Sequence, residues 1–432
     1  MKLAIMGGKP VRVTPFPAHV TVGEEEKESV GRVIDSGVLS RYLGAWHEQF
    51  MGGDEVRALE SEWSAYYRTR HAIAVNSATS GLICALGAAG VGPGDEVIVS
   101  PWSMCISATA PLFYGAIPVF ADVEPDCFCL EAHDVERKIS SRTKAIIVVD
   151  LFGQPYDADA INSLAERHGL IVIEDAAQAP GALLYGKPAG TLGHMGVFSL
   201  NYHKHIHCGE GGVIVTDDDR LARRLCLIRN HAEAVVEDMG ESELTNMLGY
   251  NFRMTELDAA VARCQLKKLE ILNRARLNNV TYLEKSLGDI PCLSMPKVRR
   301  GAKHVYYVHA CRYDETVAGI PAQRFVEAVK AELPCFTLRE KEGTKLGCGY
   351  ARPLYQLPIF QRRQAVGETG WPFSQRPDIV YPKGLCPHCE KLHSGGVLTH
   401  EFMLPGMHEK DLDDVLQAFQ KVWEYRNELP RI

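Results

Sequence analysis

Asp175 and Lys204 are the residues whose types and surroundings most directly predict chemistry in this chain. Asp175 follows the apolar, β-branched run 171–173 and Glu174, a pattern typical of a buried strand that carries a carboxylate to its carboxyl end. Lys204 follows in a loop before the glycine-rich turn 209–212. A lysine amine forms a Schiff base with an aldehyde, and an acid keeps a pyridine nitrogen protonated so that the ring can accept electrons. The pair therefore predicts an enzyme that uses pyridoxal phosphate.

A hydroxyl-rich turn at residues 76–81, Asn-Ser-Ala-Thr-Ser-Gly, is a candidate for binding the phosphate of that cofactor. It precedes a predicted helix, whose free N–H groups would face an anion. Thr79 and Ser80 can add hydroxyl donors, and Ser199, five residues before the lysine, is a second candidate. A capped helix start without a ligand is the alternative. The presence of Asp175 and Lys204 in the same chain favours the interpretation as a phosphate-binding turn.

Composition and charge exclude several classes of protein. Apolar residues make up 46% of the 432 residues and charged residues 23%, which is ordinary for a globular enzyme. The net charge of -7 gives no basic surface, so nucleic acid is not an expected partner. No apolar stretch is long enough to span a membrane, and the first ten residues do not resemble a signal peptide. The 13 cysteines show no repeating spacing, which predicts reduced thiols in a cytoplasmic protein.

The elements that would position these residues alternate between strand and helix. Short apolar runs predict strands at 96–99, 117–120, 145–149, 170–173 and 213–215, and helix-compatible segments lie at 24–36, 54–68, 79–89 and 158–168. This pattern predicts an α/β fold with a mainly parallel sheet covered by helices on both faces.

A long helix-compatible stretch, 254–287, is expected to bridge to a second domain. Beyond it the sequence predicts a strand at 304–308, a helix at 323–332, an irregular region at 333–387 and a final helix at 409–426. We therefore expect a large domain at residues 1–275, including an N-terminal arm, and a smaller α+β domain at residues 276–432.

Four sequence blocks, 76–82, 174–178, 199–212 and 249–254, together resemble the DegT/StrS family of fold-type I, pyridoxal-phosphate-dependent sugar aminotransferases. Their order and spacing match as well as their composition, and the resemblance runs from residue 3 to residue 392. It implies a seven-stranded type of sheet in the large domain. The opening residues 3–12 and the block 386–390 look most like the branch that aminates keto-cyclitols such as inososes.

The resemblance implies a role for each matching residue. Lys204 falls at the lysine that binds the cofactor and Asp175 at the acid that pairs with the pyridine nitrogen, and these two are the expected catalytic residues. Gln178 falls beside the phenolic oxygen of the ring. The phosphate would be held by Ala78, Thr79, Ser80 and Ser199.

The resemblance also implies a homodimer with shared sites, because Asn251 falls where members of the family reach the phosphate bound by the neighbouring subunit. Arg253, beside it, would contact substrate or brace the loop. The other candidate substrate residues are Arg41, Tyr42, His203, His205 and Tyr355. Packing is the alternative for Arg41 and for the two tyrosines.

Four features depart from the family pattern. Asn201 replaces a common histidine, and the residues around the lysine are rich in histidine, at positions 203, 205 and 207. Met104 falls where an aromatic side chain stacks on the cofactor ring, and Trp102 is a possible substitute. Tyr355 replaces a usual histidine.

Lysine at position 204 also decides the expected reaction, because a dehydratase branch of the family carries histidine there. With lysine, the resemblance implies transfer of an amino group from glutamate or glutamine to a keto group of a sugar or cyclitol, free or nucleotide-linked. Lys204 would act as the base and acid that moves the proton. Two alternatives remain: an elimination or cyclisation on an amino-acid substrate, and a non-catalytic regulatory protein on the same scaffold.

Three further patterns have structural interpretations. Residues 181–187 match most of a phosphate-binding loop, but Pro188 stands where Ser or Thr is required, which indicates a turn. Cys386 and Cys389 resemble half a zinc site without a second pair, and Pro387 favours a helix start. The histidines near Lys204 are expected to form hydrogen bonds. The sequence therefore predicts no metal site.

Overall fold

The computed structural model describes residues 2–429 and contains three sheets within them. The strands, numbered along the chain, are β1 His71–Val75, β2 Glu96–Val99, β3 Ile117–Phe120, β4 Thr143–Val149, β5 Ile171–Asp175, β6 Leu183–Leu184, β7 Lys187–Pro188, β8 Met195–Ser199, β9 Gly212–Thr216, β10 Leu293–Ser294, β11 Ala302–Lys303, β12 His309–Tyr313, β13 Leu346–Cys348 and β14 Val397–His400.

The largest sheet has seven strands in the order β1-β9-β8-β5-β4-β2-β3. The run from β8 to β3 is parallel, and β9 is antiparallel to both of its neighbours. The predicted α/β fold with a mainly parallel sheet is therefore confirmed. A second sheet, in the order β10-β12-β14-β13, is antiparallel throughout.

Helices cover both faces of the large sheet. They are α1 Glu24–Ser36, α2 Asp54–Tyr67, α3 Ala78–Ala88, α4 Ile106–Thr109, α5 Ala132–Lys138, α6 Ala158–His168, α7 Asp219–Arg229, α8 Glu256–Leu287, α9 Glu315–Ala318, α10 Ala322–Glu332, α11 Pro358–Gln361, α12 Pro387–Lys391 and α13 Glu409–Tyr425. The predicted helix start at Pro387 is present, and within the predicted turn at 181–187 residues 185–186 join the two short strands β6 and β7.

Strand β4 shows why the central strands are continuous apolar runs. Its alternate residues Ile147 and Val149 pack in the core that contains α3 and α7, whereas Ile146 and Val148 pack in the core that contains α6. Because successive side chains of a strand point to opposite faces, a strand covered on both faces needs apolar residues at every position. Because both faces of the sheet are covered, polar side chains are placed at the carboxyl ends of its parallel strands.

A second large core lies around α10 and α13. The carboxyl half of α8 packs there through Val280 and Leu283, whereas its amino half packs against the large sheet through Leu266. Leu3 and Phe16 from the start of the chain also belong to this second core, and residues 354–392 contribute to the core of the large sheet. The proposed division at residue 275 stays a prediction.

The predicted strand at residues 304–308 is wrong. The strand begins at His309, and residues 304–308 form a loop in which Tyr306 has a φ of 51°. The N–H of Val305 donates to the carbonyl of Gly153 at 2.9 Å, and that of Tyr307 donates to Phe152 at 2.7 Å. These long-range hydrogen bonds replace strand pairing.

Two negative expectations from the sequence concern membranes and disulfides. None of the helices within residues 2–429 has the length and apolar character needed to cross a membrane. The 13 cysteines, all of which lie in that part of the chain, are unpaired.

Candidate active site

Asp175 lies at the carboxyl end of β5 and is buried. Its Oδ2 accepts a hydrogen bond from Ser107 Oγ at 3.0 Å, and its Oδ1 accepts one from the N–H of Ala177 at 3.2 Å. Burial raises the pKa of the Asp175 carboxyl, while the Ala177 N–H and the charge of Lys204 act in the opposite direction. A positively charged group placed against this carboxylate would further favour its ionised form.

Lys204 lies in the loop between β8 and β9 and is half-buried. Its Nζ lies 4.4 Å from the centre of the Tyr307 ring. Burial lowers the pKa of the Lys204 amine to about 8, and the Asp175 carboxylate partly opposes this shift. A lysine with this pKa is neutral often enough near neutral pH to act as a nucleophile or a base.

Gln178 connects the strand end to the loop that carries Tyr307. Its Oε1 accepts from the N–H of Phe152 at 2.8 Å, and its Nε2 donates to the hydroxyl of Tyr350 at 3.3 Å. Phe152 adopts a φ of 60°, which is uncommon for a residue other than glycine, and its carbonyl accepts from the N–H of Tyr307 at 2.7 Å. Gln178 and Lys204 are thus linked through Phe152 and Tyr307.

The candidate phosphate residues come together where β8 ends beside the start of α3. Ser199 is the last residue of β8 and pairs with Gly212 on β9. A Cβ at Gly212 would lie 2.7 Å from the backbone nitrogen of Ala78, so the strand pair approaches the first turn of α3 closely. Thr79 is exposed in the same turn. Free N–H groups at such a helix start favour an anion.

The first turn of α3 is held in place by its own side chains. The Ser77 hydroxyl accepts from the N–H of Ser80 at 3.1 Å and caps the helix. The Ser80 hydroxyl, which is buried, donates to Asn76 Oδ1 at 2.6 Å. Ser80 therefore shapes the turn through its hydroxyl, and its predicted contact with a phosphate stays a prediction.

Asn251 lies beside this turn in its own chain. The carbonyl of Asn251 accepts from Asn76 Nδ2 at 3.4 Å, and its side-chain Oδ1 accepts from Arg253 Nε at 2.8 Å. Arg253 also donates through Nη1 to Asn230 Oδ1 at 3.3 Å. The Asn251 side chain is exposed.

Tyr42 and Arg41 are adjacent in sequence but differ in exposure. Tyr42 is buried, and its ring centre lies 5.1 Å from the guanidinium of Arg229 and 6.0 Å from that of Arg253. Arg41 is exposed. Tyr42 therefore connects the predicted substrate residue Arg253 to a buried arginine.

Met104 is 65% exposed in the segment after β2, so its side chain can reach a bound molecule. Trp102, the possible substitute, is fully buried and donates through Nε1 to the carbonyl of Ala351 at 2.8 Å. Its ring meets Phe152 and Tyr350 edge-on. Trp102 therefore packs behind the Phe152 turn and is not available for stacking on a cofactor.

The histidines that flank Lys204 have different surroundings. Nδ1 of His203 accepts from Arg339 Nη2 at 3.1 Å. His205 is buried, and its Nε2 donates to the carbonyl of Val305 at 3.1 Å. Burial, with the charge of Arg276, holds the pKa of His205 well below its usual value. Both side chains form the hydrogen bonds that the sequence predicts for this cluster.

Tyr355 is fully buried in the core of the large sheet. Its hydroxyl donates to Glu390, and its ring centre lies 5.6 Å from that of Phe120 on β3. The side chain is packed, which is the alternative that the sequence left open for it.

Ser107, Tyr350 and Arg339 belong to the site but were missed from the sequence. From distant parts of the chain they form hydrogen bonds with Asp175, Gln178 and His203, respectively. No local pattern around these three residues distinguishes them from ordinary polar residues.

The chain matches known proteins over most of its length. Residues 43–377 match the model of the DegT/DnrJ/EryC1/StrS aminotransferase family. The chain is 32% identical, over 98% of its length and 97% of the relative's, to the L-glutamine:2-deoxy-scyllo-inosose aminotransferase of Streptomyces kanamyceticus. It is 36% identical, over 72% of its length and 82% of the relative's, to a pleiotropic regulatory protein of Geobacillus stearothermophilus.

The fold is similar to the crystal structure of DesI in the presence of its TDP-sugar product, with a TM-score of 0.79 and 27% identity over 99% of this chain and 97% of that one. Fold, family model and full-length relatives lead to one assignment. The chain belongs to the DegT/DnrJ/EryC1/StrS aminotransferase family.

Proposed function

We propose that this aminotransferase binds pyridoxal phosphate through Lys204 and transfers an amino group from glutamine or glutamate to a keto-cyclitol of the inosose type. The observation that carries the proposal is the pair formed by a buried carboxylate at the end of β5 and a lysine whose amine has a pKa of about 8. An alternative acceptor class is a nucleotide-linked keto sugar.

The residues present fit pyridoxal phosphate. Gly212 lies against the start of α3, where a Cβ would approach Ala78 too closely, so its strand partner Ser199 and the helix N–H groups would together hold the phosphate. Asp175 would hold the proton on the pyridine nitrogen, and its burial makes that pairing favourable. When bound, the cofactor withdraws electrons from the substrate carbon through its protonated ring.

Lys204 has two tasks in this proposal. Its neutral amine would hold the cofactor through the aldehyde, and after the donor's amino group takes its place the amine would move a proton to and from the substrate carbon. The Tyr307 ring beneath Nζ keeps one side of the amine out of water. A pKa of about 8 lets the same amine accept and donate a proton near neutral pH.

The choice of a polyhydroxylated acceptor rests on a cavity next to the site and on the relatives. The cavity has a volume of about 240 Å³ and shares Tyr350 with the Gln178 side of the site. Glu342, Lys345 and Glu401 also line it, and such side chains can bind the hydroxyl groups of a cyclitol. Glutamine as the donor follows the name of the inosose aminotransferase relative.

We also propose a cytoplasmic homodimer. Asn251 would contact the cofactor phosphate of the second subunit, since its side chain is exposed beside the start of α3. The segments 39–46 and 244–248 also expose apolar side chains: Leu39, Leu43, Trp46, Leu244 and Leu248. An apolar surface of this kind is suited to a protein partner. The unpaired cysteines support a reducing compartment.

The proposal is tested by recording the visible spectrum of the purified protein before and after adding glutamine, and separately glutamate. Covalently bound cofactor should give a yellow band that shifts to the aminated form with a donor, and borohydride reduction should attach the cofactor to the peptide that contains Lys204. A keto-cyclitol should then restore the first band.

The outcomes separate the alternatives. Restoration only by a nucleotide-linked keto sugar would replace the acceptor class. A band that no donor shifts would favour elimination or cyclisation on an amino acid. No band after reconstitution, with Lys204 and Asp175 intact, would favour a non-catalytic regulatory role and contradict the proposal.

A further inference from the structure

A buried cluster of soft ligands lies in the small antiparallel sheet, apart from Lys204. His309 on β12 is paired directly with His400 on β14, and Cys311 follows two residues after His309. Because side chains two residues apart on a strand share a face, all three lie on one face of the sheet. One ligand atom from each lies within 4.8 Å of the other two, and all three residues are buried.

The orientation of His309 is that of a metal ligand held by a carboxylate. Its Nε2 lies 3.1 Å from Glu284 Oε1 on α8, so this nitrogen carries the proton and donates it. Its Nδ1 then presents a lone pair to Cys311 Sγ at 3.3 Å. Metal-binding histidines characteristically donate their second N–H to a carboxylate in this way. Tetrahedral zinc, with bonds of about 2.3 Å to sulfur and about 2.0 Å to nitrogen, separates such atoms by about 3.5 Å.

The sulfur atoms favour a thiophilic cation. Cys311 Sγ lies 3.9 Å from Met295 Sδ, which places a thioether beside the thiol. Thiolate, thioether and imidazole are the donors that Cu⁺ prefers, and thiolate with imidazole suits Zn²⁺. The oxygen-rich sets that bind magnesium or calcium are different.

His400 supplies an independent observation. It is 2% exposed, and its Nε2 has no hydrogen-bond partner among residues 2–429. Its Nδ1 accepts from the N–H of Phe402 at 3.2 Å, so in the metal-free chain the proton is on Nε2. Binding therefore requires His400 to give up this long hydrogen bond and turn a lone pair toward Cys311. A buried N–H without an acceptor already makes the metal-free arrangement costly.

We propose that His309, Cys311 and His400 form a site for one closed-shell thiophilic cation, Zn²⁺ or Cu⁺, with Glu284 fixing His309. His400 also lines the cavity shared with Tyr350, which gives an ion a path from solvent. The bound ion would connect β12 and β14 to α8. This proposal departs from the expectation of no metal site, which was drawn from local spacing. Cys311 and His400 are too far apart in sequence to form a recognisable motif.

The test uses the full-length protein with its cofactor, stripped with a chelator and reloaded with Zn²⁺, or with Cu⁺ under reducing conditions. Metal per chain is measured by mass spectrometry after gel filtration. We expect about one equivalent of one of the two ions in the wild type. Cys311→Ser and His400→Gln should lose it. Cys292→Ser, which alters a buried cysteine of the same core outside the cluster, should keep it.

Equal metal content in Cys311→Ser and Cys292→Ser would overturn the proposal, as would a wild type that retains neither ion. If Cys311→Ser does not fold, cobalt substitution of the wild type decides, because a thiolate ligand gives Co²⁺ an intense near-ultraviolet charge-transfer band. A band that is lost in His400→Gln supports the site. An absent band, or one unchanged in His400→Gln, contradicts it. These measurements do not depend on transaminase activity.

Discussion

The amine of Lys204 lies 4.4 Å above the ring of Tyr307, whose backbone N–H is bound to the carbonyl of Phe152. The same Phe152 donates its own N–H to Gln178. The lysine and the glutamine are therefore fixed relative to each other by one strained turn, although the lysine is on a loop. Burial at this position lowers the pKa of Lys204, and the charge of Asp175 opposes it.

Covalent attachment of pyridoxal phosphate to the cofactor-free protein should depend on pH with a midpoint near 8. The folded-state pKa of Lys204 is lowered to about 8, so the reactive neutral amine predominates above that pH and the ammonium below it. The rate of appearance of the yellow band, measured across pH 6 to about 10, gives the midpoint.

Asp175→Asn should move that midpoint to lower pH. The Asp175 carboxylate raises the pKa of Lys204, so removing its charge lowers the pKa further. The variant should also keep the cofactor attached but lose turnover by about 10²-fold or more, because the ring proton is no longer held. Lys204→Ala should abolish reducible attachment. An unchanged midpoint together with normal turnover in Asp175→Asn would place the functional acid elsewhere.

Gly212→Ala should weaken cofactor binding without unfolding the protein. The new Cβ would lie 2.7 Å from the nitrogen of Ala78 and would push the first turn of α3 away from Ser199. We expect the apparent Kd for pyridoxal phosphate to rise at least about tenfold, the equivalent of about 1.4 kcal/mol. Gly92→Ala is the matched control, because nothing lies within 4 Å of its added Cβ. Equal affinities in the two variants would contradict the phosphate assignment.

Arg229→Met should destabilise the fold by about 3–5 kcal/mol, because it leaves a partly buried carboxylate without its partner. Arg229 is fully buried, and its Nη1 lies 2.6 Å from Glu60 Oε1. The second change Glu60→Leu should recover much of the loss. Arg220→Ala, which breaks an ion pair at the surface, should cost only about 0.2–1 kcal/mol. Urea unfolding of the four proteins measures these differences, and a loss in Arg229→Met no larger than in Arg220→Ala would refute the prediction.

Lys204, Asp175 and the candidate phosphate turn could be predicted from the sequence because each lies in a short block with its own pattern. The apolar run of β5 ends at Asp175, and the hydroxyl-rich turn opens α3. Local propensity and chemistry agree at these positions, so residues close in sequence suffice to predict them.

The rest depends on contacts between distant segments. Residues 304–308 have the composition of a strand, yet Val305 and Tyr307 hydrogen-bond to Gly153 and Phe152 and so form the loop beneath Lys204. From the sequence, Tyr355 is a candidate substrate residue with packing as the alternative, and in the structure its hydroxyl is bound to Glu390 in the core. Propensity cannot indicate which distant backbone group will accept a hydrogen bond.

Helix α8 has a mechanical consequence for substrate entry. It is one continuous helix of 32 residues, about 48 Å long, whose amino half packs against the large sheet and whose carboxyl half packs in the core around α10 and α13. A helix with uninterrupted backbone hydrogen bonds resists sharp bending. It therefore cannot serve as a hinge between the two regions that pack against its two halves. We therefore expect the two packed regions to move as one stiff body, and access to Lys204 to be governed by loops alone.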